Sequence, residues 1–142
     1  MFALRFIPVL LVLFVLPSLA QAESKRDLSY SFGTIWSAAV RYIRVDKRFV
    51  LGDKDKETGY MLFTYPGRGA VKACPGALEL VKRTDEDGYA KVRVQLRIGH
   101  QPAYVELHFL DGLIRKLSKE QGPPPPPRKV TPPKDGTPKP KP

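Results

Sequence analysis

Residues Tyr89–Ile98 alternate with a period of two. Val92, Val94, Leu96 and Ile98 fall on one side, and Lys91, Arg93, Gln95 and Arg97 on the other. Successive side chains of a strand point to opposite faces, so this segment needs a core on one face and water on the other. That is the pattern of an antiparallel sheet covered on a single side. The chain supplies two covers. Phe32, Ile35, Trp36, Ala39, Val40 and Ile43 recur at the spacing of one helical face. Ser31 or Thr34 can cap that helix, and Arg41, Arg44 and Lys47 occupy its other side. A second helix is predicted from Pro102 to about Glu120, with proline tolerated at its start. Its apolar side reads Tyr104, Leu107, Leu110, Ile114 and Leu117, flanked by Ala103 and Leu113.

Three more strands complete the pattern. Arg48–Asp53 places Phe49 and Leu51 together, Tyr60–Tyr65 aligns Met61, Phe63 and Tyr65, and Ala77–Arg83 turns Leu78 and Leu80 inward. Polar turns ending in Gly59 and Gly88 join them. Asp27–Ser31 is a candidate first strand. The predicted fold class is α+β: a two-layer sandwich with a four- to five-stranded antiparallel sheet covered by two helices, in the order β-α-β4-α.

The two ends of the chain differ from this middle. Arg5, the apolar run Phe6–Leu16 and the small-residue pair Ala20 and Ala22 form the pattern of an export signal cleaved between Ala22 and Glu23. The apolar run is shorter than the roughly 20 residues needed to span hydrocarbon, and no cysteine stands at the cleavage point to carry a lipid. The expectation is a periplasmic or secreted protein with no stable membrane anchor. At the other end, ten of the fifteen prolines follow Gly122, and residues 122–142 carry five Lys and Arg against one acid. This tail has too few apolar residues to build a core and is expected to be disordered and extended. The domains expected are therefore a signal at 1–22, a globular domain at 23–121 and a Pro/Lys-rich tail at 122–142. The globular part has 18 Lys and Arg against 13 Asp and Glu, a charge of +5. Cys74, the one cysteine, falls in a loop expected at Pro66–Gly76 and reads as a part-buried small residue.

The segment Thr34-Ile35-Trp36-Ser37-Ala38-Ala39-Val40, followed by a strand, the turn Asp55-Lys56-Glu57-Thr58-Gly59 and the aromatic strand Tyr60-Met61-Leu62-Phe63, resembles the helix-grip domains of bacterial envelope proteins of the BamC type. The resemblance implies a helix-grip-like fold and a place in the cell envelope. It carries over no catalytic residue. Such proteins begin their mature chain with a lipidated cysteine, where this chain has Glu23.

For function, the outward row Lys91, Arg93 and Arg97 is a candidate surface for an anion or a partner. His108 with Glu106 and Asp111 is a second cluster, joined in principle by His100, but its spacing matches no zinc motif. No nucleophile motif or phosphate loop stands out, and Gly67-Arg68-Gly69 reads as a loop tip. Modest charge and the absence of interleaved stacking aromatics argue against nucleic acid. Neither a catalytic residue, a cofactor nor a metal is expected. The leading expectation is an exported, non-enzymatic domain that binds an envelope protein or an anionic envelope polymer. The alternative is a carrier holding a small apolar ligand between helix and sheet, lined by Trp36, Tyr42, Tyr60, Phe63, Tyr65 and Tyr104.

Overall fold

The computed structural model describes residues 24–67 and 72–131. The expected signal and its cleavage point, Ala22 and Glu23, lie outside the described residues, as do 68–71 and 132–142. The elements are β1 (Ser24–Leu28), α1 (Phe32–Arg41), a π turn (Tyr42–Asp46), β2 (Val50–Asp55), β3 (Tyr60–Tyr65), β4 (Cys74–Thr84), β5 (Ala90–Ile98) and α2 (Ala103–Gln121). The five strands form one antiparallel sheet in the order β1-β5-β4-β3-β2. This is the predicted α+β architecture, a sheet covered by helices.

The alternation in β5 sets the inner face: Val92, Val94, Leu96 and Ile98 are all buried, beside Leu78 and Leu80 of β4 and Met61 and Phe63 of β3. The first strand lies earlier than expected, at Ser24–Leu28, because Ser31 is committed to α1 and its Oγ accepts the Thr34 N–H at 3.2 Å. Cys74 is not in a loop; it opens β4 opposite Tyr65 and is buried.

Helix α1 ends by widening. The Lys47 N–H donates to the Tyr42 carbonyl at 2.9 Å, five residues back, and both Tyr42 and Ile43 enter the core. Arg48, at φ 56°, then reverses the chain so that the Phe49 N–H reaches the Ile43 carbonyl at 2.9 Å. The reversal places Phe49 over Phe63 at 5.9 Å and beside Tyr65 at 5.4 Å. Phe109 of α2 completes the stack, 5.5 Å from Phe63 and nearly parallel at 8°.

Helix α2 presents a different stripe from the one its apolar spacing suggests. Phe109, Leu110, Leu113 and Leu117 are buried, whereas Tyr104 is 70% exposed. Two stripes fit the sequence. The stripe containing Phe109 stacks that ring on Phe63 of the sheet and turns Glu106 toward the end of β5. Gly112 allows the approach of α1: a Cβ there would fall inside the Tyr42 phenol. At the far end of the helices, Lys116 bridges Asp46 at 2.5 Å and Glu120 at 2.8 Å.

Candidate functional site

The outward row of β5 is balanced by acids from its neighbours. β1 pairs with β5 so that Asp27 stands opposite Arg93. The Arg93 guanidinium donates from Nε at 2.7 Å and from Nη2 at 2.8 Å to the two carboxylate oxygens, a forked pair. Hydrogen bonding to Arg93 holds the Asp27 carboxyl below its usual range. Lys91 lies 2.9 Å from Asp85 of the β4–β5 turn, and that contact, with the Tyr89 N–H, lowers the Asp85 carboxyl too. Gln95 donates to Glu79 at 3.2 Å. Arg97 is exposed opposite Ala77. Of the three candidate residues, then, Lys91 and Arg93 are already engaged, and an incoming anion would compete with Asp85 and Asp27. The register of β1, which supplies Asp27, was the missing information.

The second cluster is split by the fold. Glu106 is 5% exposed and turned inward. Its carboxylate accepts the Ile98 N–H at 2.7 Å and the Ser24 hydroxyl at 2.8 Å, tying α2 to the end of β5 and the start of β1. His108 and Asp111 are exposed on the other side of α2, with Asp111 3.7 Å from Arg26. His100 is exposed where β5 ends, at φ 56°. Among the described residues no group of three His, Cys, Asp or Glu side chains is placed to hold a metal ion.

Of the aromatic set, Trp36, Tyr42 and Phe63 are core, Tyr60 and Tyr104 are exposed, and Tyr65 and Tyr104 line a groove at the surface. Two grooves bear on function. One groove, of about 980 Å³, runs along α2 over Phe49, Tyr65 and Phe109, with a mixed rim of Asp46, Lys47, His108 and Asp111.

The other groove involves the start of the proline-rich tail, which finds partners on the domain rather than in itself. The Tyr30 hydroxyl donates to the Gly122 carbonyl at 2.7 Å where α2 ends. Further on, the Ala90 N–H donates to the Arg128 carbonyl at 2.9 Å and the Val130 N–H to the Gly88 carbonyl at 2.8 Å. Tyr89 and Lys129 form an antiparallel bridge between these bonds. Prolines cannot donate such bonds; the run ends at Pro127, and Val130 beyond it is the strap residue that donates here, while Arg128 accepts. Residues 122–131 thus form a strap across the β4–β5 hairpin.

Beneath the strap is a groove of about 510 Å³. Its walls are Tyr30 and Phe32 from the entry to α1, Val92 from β5, and Pro125, Pro126 and Val130 from the strap. Four cations lie along it, Lys82, Arg83, Lys91 and Arg128, and no acid does. Lys82 sits over the Phe32 ring at 5.1 Å. The acids of the adjoining turn, Asp85, Glu86 and Asp87, line a separate depression that also touches Arg83. Lys82 or Arg83 beside Lys91 is legible from sequence as a cationic patch; Arg128 is not, because it belongs to a segment expected to stay apart.

Among the described residues no helix is long and apolar enough to cross a membrane. No family model matches the chain, and no curated protein matches it.

Proposed function

We propose that this chain is an exported, non-enzymatic binding domain for an anionic component of the cell envelope, held at the end of the molecule where the strap crosses the β4–β5 hairpin. The observation that carries the reading is the grouping of Lys82, Arg83 and Arg128 around one groove without an acidic partner in its walls. Lys91 and Arg93, by contrast, are engaged by Asp85 and Asp27. The strap also carries the chain toward residues 132–142, which add Lys134, Lys139 and Lys141 against Asp135. Cations along the groove and on the adjoining chain raise the local concentration of a polyanion and hold it in a salt-dependent way. The export signal and the resemblance to helix-grip envelope domains support the same compartment.

The test is retention on an immobilised anionic polymer, such as polyphosphate, across a salt gradient. Three proteins are compared: the full chain, a chain ending at Thr131, and the double variant Arg83→Gln/Arg128→Gln. Earlier elution of the double variant, with a further shift on removing 132–142, is expected. Elution of all three at the same salt concentration would sink the reading.

A further inference from the structure

We propose that the groove under the strap is a binding site for an anionic amphiphile with a single alkyl chain, a phosphate monoester head being the fitting anion. The proposal deepens the reading of this end as anion-binding and rests on it. Two properties of the groove separate its ligand from a simple polyanion. First, its walls are largely apolar. Phe32, Val92, Pro125 and Val130 face it, and Val130 is 47% exposed, a large aliphatic side chain left open to water at that edge. A polyanion alone gains nothing from such walls, whereas an alkyl chain gains about 0.8 kcal/mol for each methylene it buries. Second, the open groove, of about 510 Å³, is large enough to take a small molecule.

Charge selects the head group. Lys82, Arg83 and Arg128, from β4 and the strap, line the groove, and Arg83 also borders the depression that holds Asp27, Asp85, Glu86 and Asp87. Guanidinium groups match a phosphate through paired donors. The larger groove along α2 lacks this property, since Asp46 and Asp111 stand on its rim. The strap's own bonds are few: one hydroxyl contact at Gly122 and two backbone bonds at Arg128 and Val130. It can therefore close over a chain laid against Phe32 and Val92 without disturbing the sheet.

The experiment is a titration of the full-length protein, expressed with its own leader and purified, with dodecyl phosphate below its micelle-forming concentration. Binding is read by calorimetry and by the fluorescence of Trp36, the one tryptophan, which stacks on Phe32 at 6.2 Å. Dodecyl maltoside, with the same chain and no charge, and inorganic phosphate, with the charge and no chain, are the comparators. Saturable binding of dodecyl phosphate is expected, at least about fivefold tighter than dodecyl maltoside, with no heat from inorganic phosphate. Arg83→Gln/Arg128→Gln should weaken it by about fivefold or more. Val130→Asp, which puts an acid on the exposed lip, should do the same with an unchanged melting temperature. Equal affinity for the two amphiphiles, or full affinity in both variants, would overturn the proposal. A protein retained on the anionic polymer but indifferent to dodecyl phosphate keeps the broader reading and loses this one.

Discussion

The contact between Tyr42 and Gly112 gives a test of the packing in which two known effects have opposite signs. In an open helix interior, alanine is about 1 kcal/mol better than glycine. At Gly112, however, the nearest atom to an added Cβ is the Tyr42 hydroxyl, and the phenol carbon behind it is only 2.9 Å away. The ring has little room to retreat, because its edge packs on Phe109 at 5.0 Å and Lys47 lies over its face at 5.3 Å. Overpacking of this kind costs about 1–3 kcal/mol; with a ring held on two sides we take the upper part of the range. Gly112→Ala should then lower stability by about 2 kcal/mol net, or about 10 °C in melting temperature for a domain of this size. The matched control is Gly33→Ala in the first turn of α1, where nothing lies within 4 Å of the added carbon. It should gain about 0.5 kcal/mol. Tyr42→Phe removes the hydroxyl, so in the double variant the two changes should couple favourably by about 1 kcal/mol. Calorimetric melting of the parent and these four variants decides it. A Gly112→Ala protein as stable as its parent, or a coupling of zero, would refute the packing argument.

Replacing Glu106 by Leu leaves the Ile98 N–H and the Ser24 hydroxyl without their buried acceptor and should cost about 3 kcal/mol; Glu106→Gln keeps one acceptor oxygen and should cost about half as much, both read from urea midpoints. Tyr30→Phe removes the bond to the Gly122 carbonyl. It should speed hydrogen exchange at the Ala90 and Val130 amides about fivefold while leaving Val94 unchanged, since the strap loosens and the sheet does not. Asp27→Asn should cost about 0.5 kcal/mol near pH 7, a small value because the pair is partly exposed. The folded carboxyl of Asp27 is lowered below 3.8, so its contribution is complete above that value and is lost as the pH falls through the lowered one. The urea midpoints of the two proteins should therefore converge in acid, and a gap that persists unchanged until the protein itself unfolds in acid contradicts the assignment.

Periodicity made most of the fold legible. The alternation of β5 and the i, i+3, i+4 stripe of α1 mark most of what is buried, Val92 to Ile98 on the strand and Ile35, Trp36, Ala39 and Ile43 on the helix side, although Phe32 and Val40 are only half-buried and Ala38, outside the stripe, is buried. α2 was harder, because Tyr104 and Leu107 extend one stripe while Phe109 and Leu113 extend another. The choice between them depends on where Glu106 finds donors, a tertiary fact. The site was less legible for the same reason. Which cations face a partner is decided by strand register, and Asp27 meets Arg93 only because β1 pairs with β5. The strap was invisible to composition, since proline content describes what a segment cannot do by itself and not what a neighbouring hairpin offers it.

These pairings separate charge from availability. The row Lys91, Arg93 and Arg97 is the more conspicuous in sequence, yet a forked bond to Asp27 already uses the Nε–Nη2 edge of the Arg93 guanidinium. To bind a phosphate there, the protein would have to give up a charge-assisted pair and gain one of similar strength, with little net change. At Arg83 and Arg128 the walls of the groove hold no acid, so the gain is not offset in the same way. Arg93→Gln removes the same formal charge as either Arg83→Gln or Arg128→Gln, and net charge alone predicts equal losses of retention on an anionic polymer. Pairing predicts otherwise. Losing Arg93 frees the Asp27 carboxylate and so adds a local negative charge, but in the depression that Arg83 also borders rather than in the walls of the groove, and dodecyl phosphate affinity should stay within about twofold of the parent. Each of the other two substitutions should weaken it by more. Equal losses across the three would show that only the overall field matters and that the groove has no selectivity of its own.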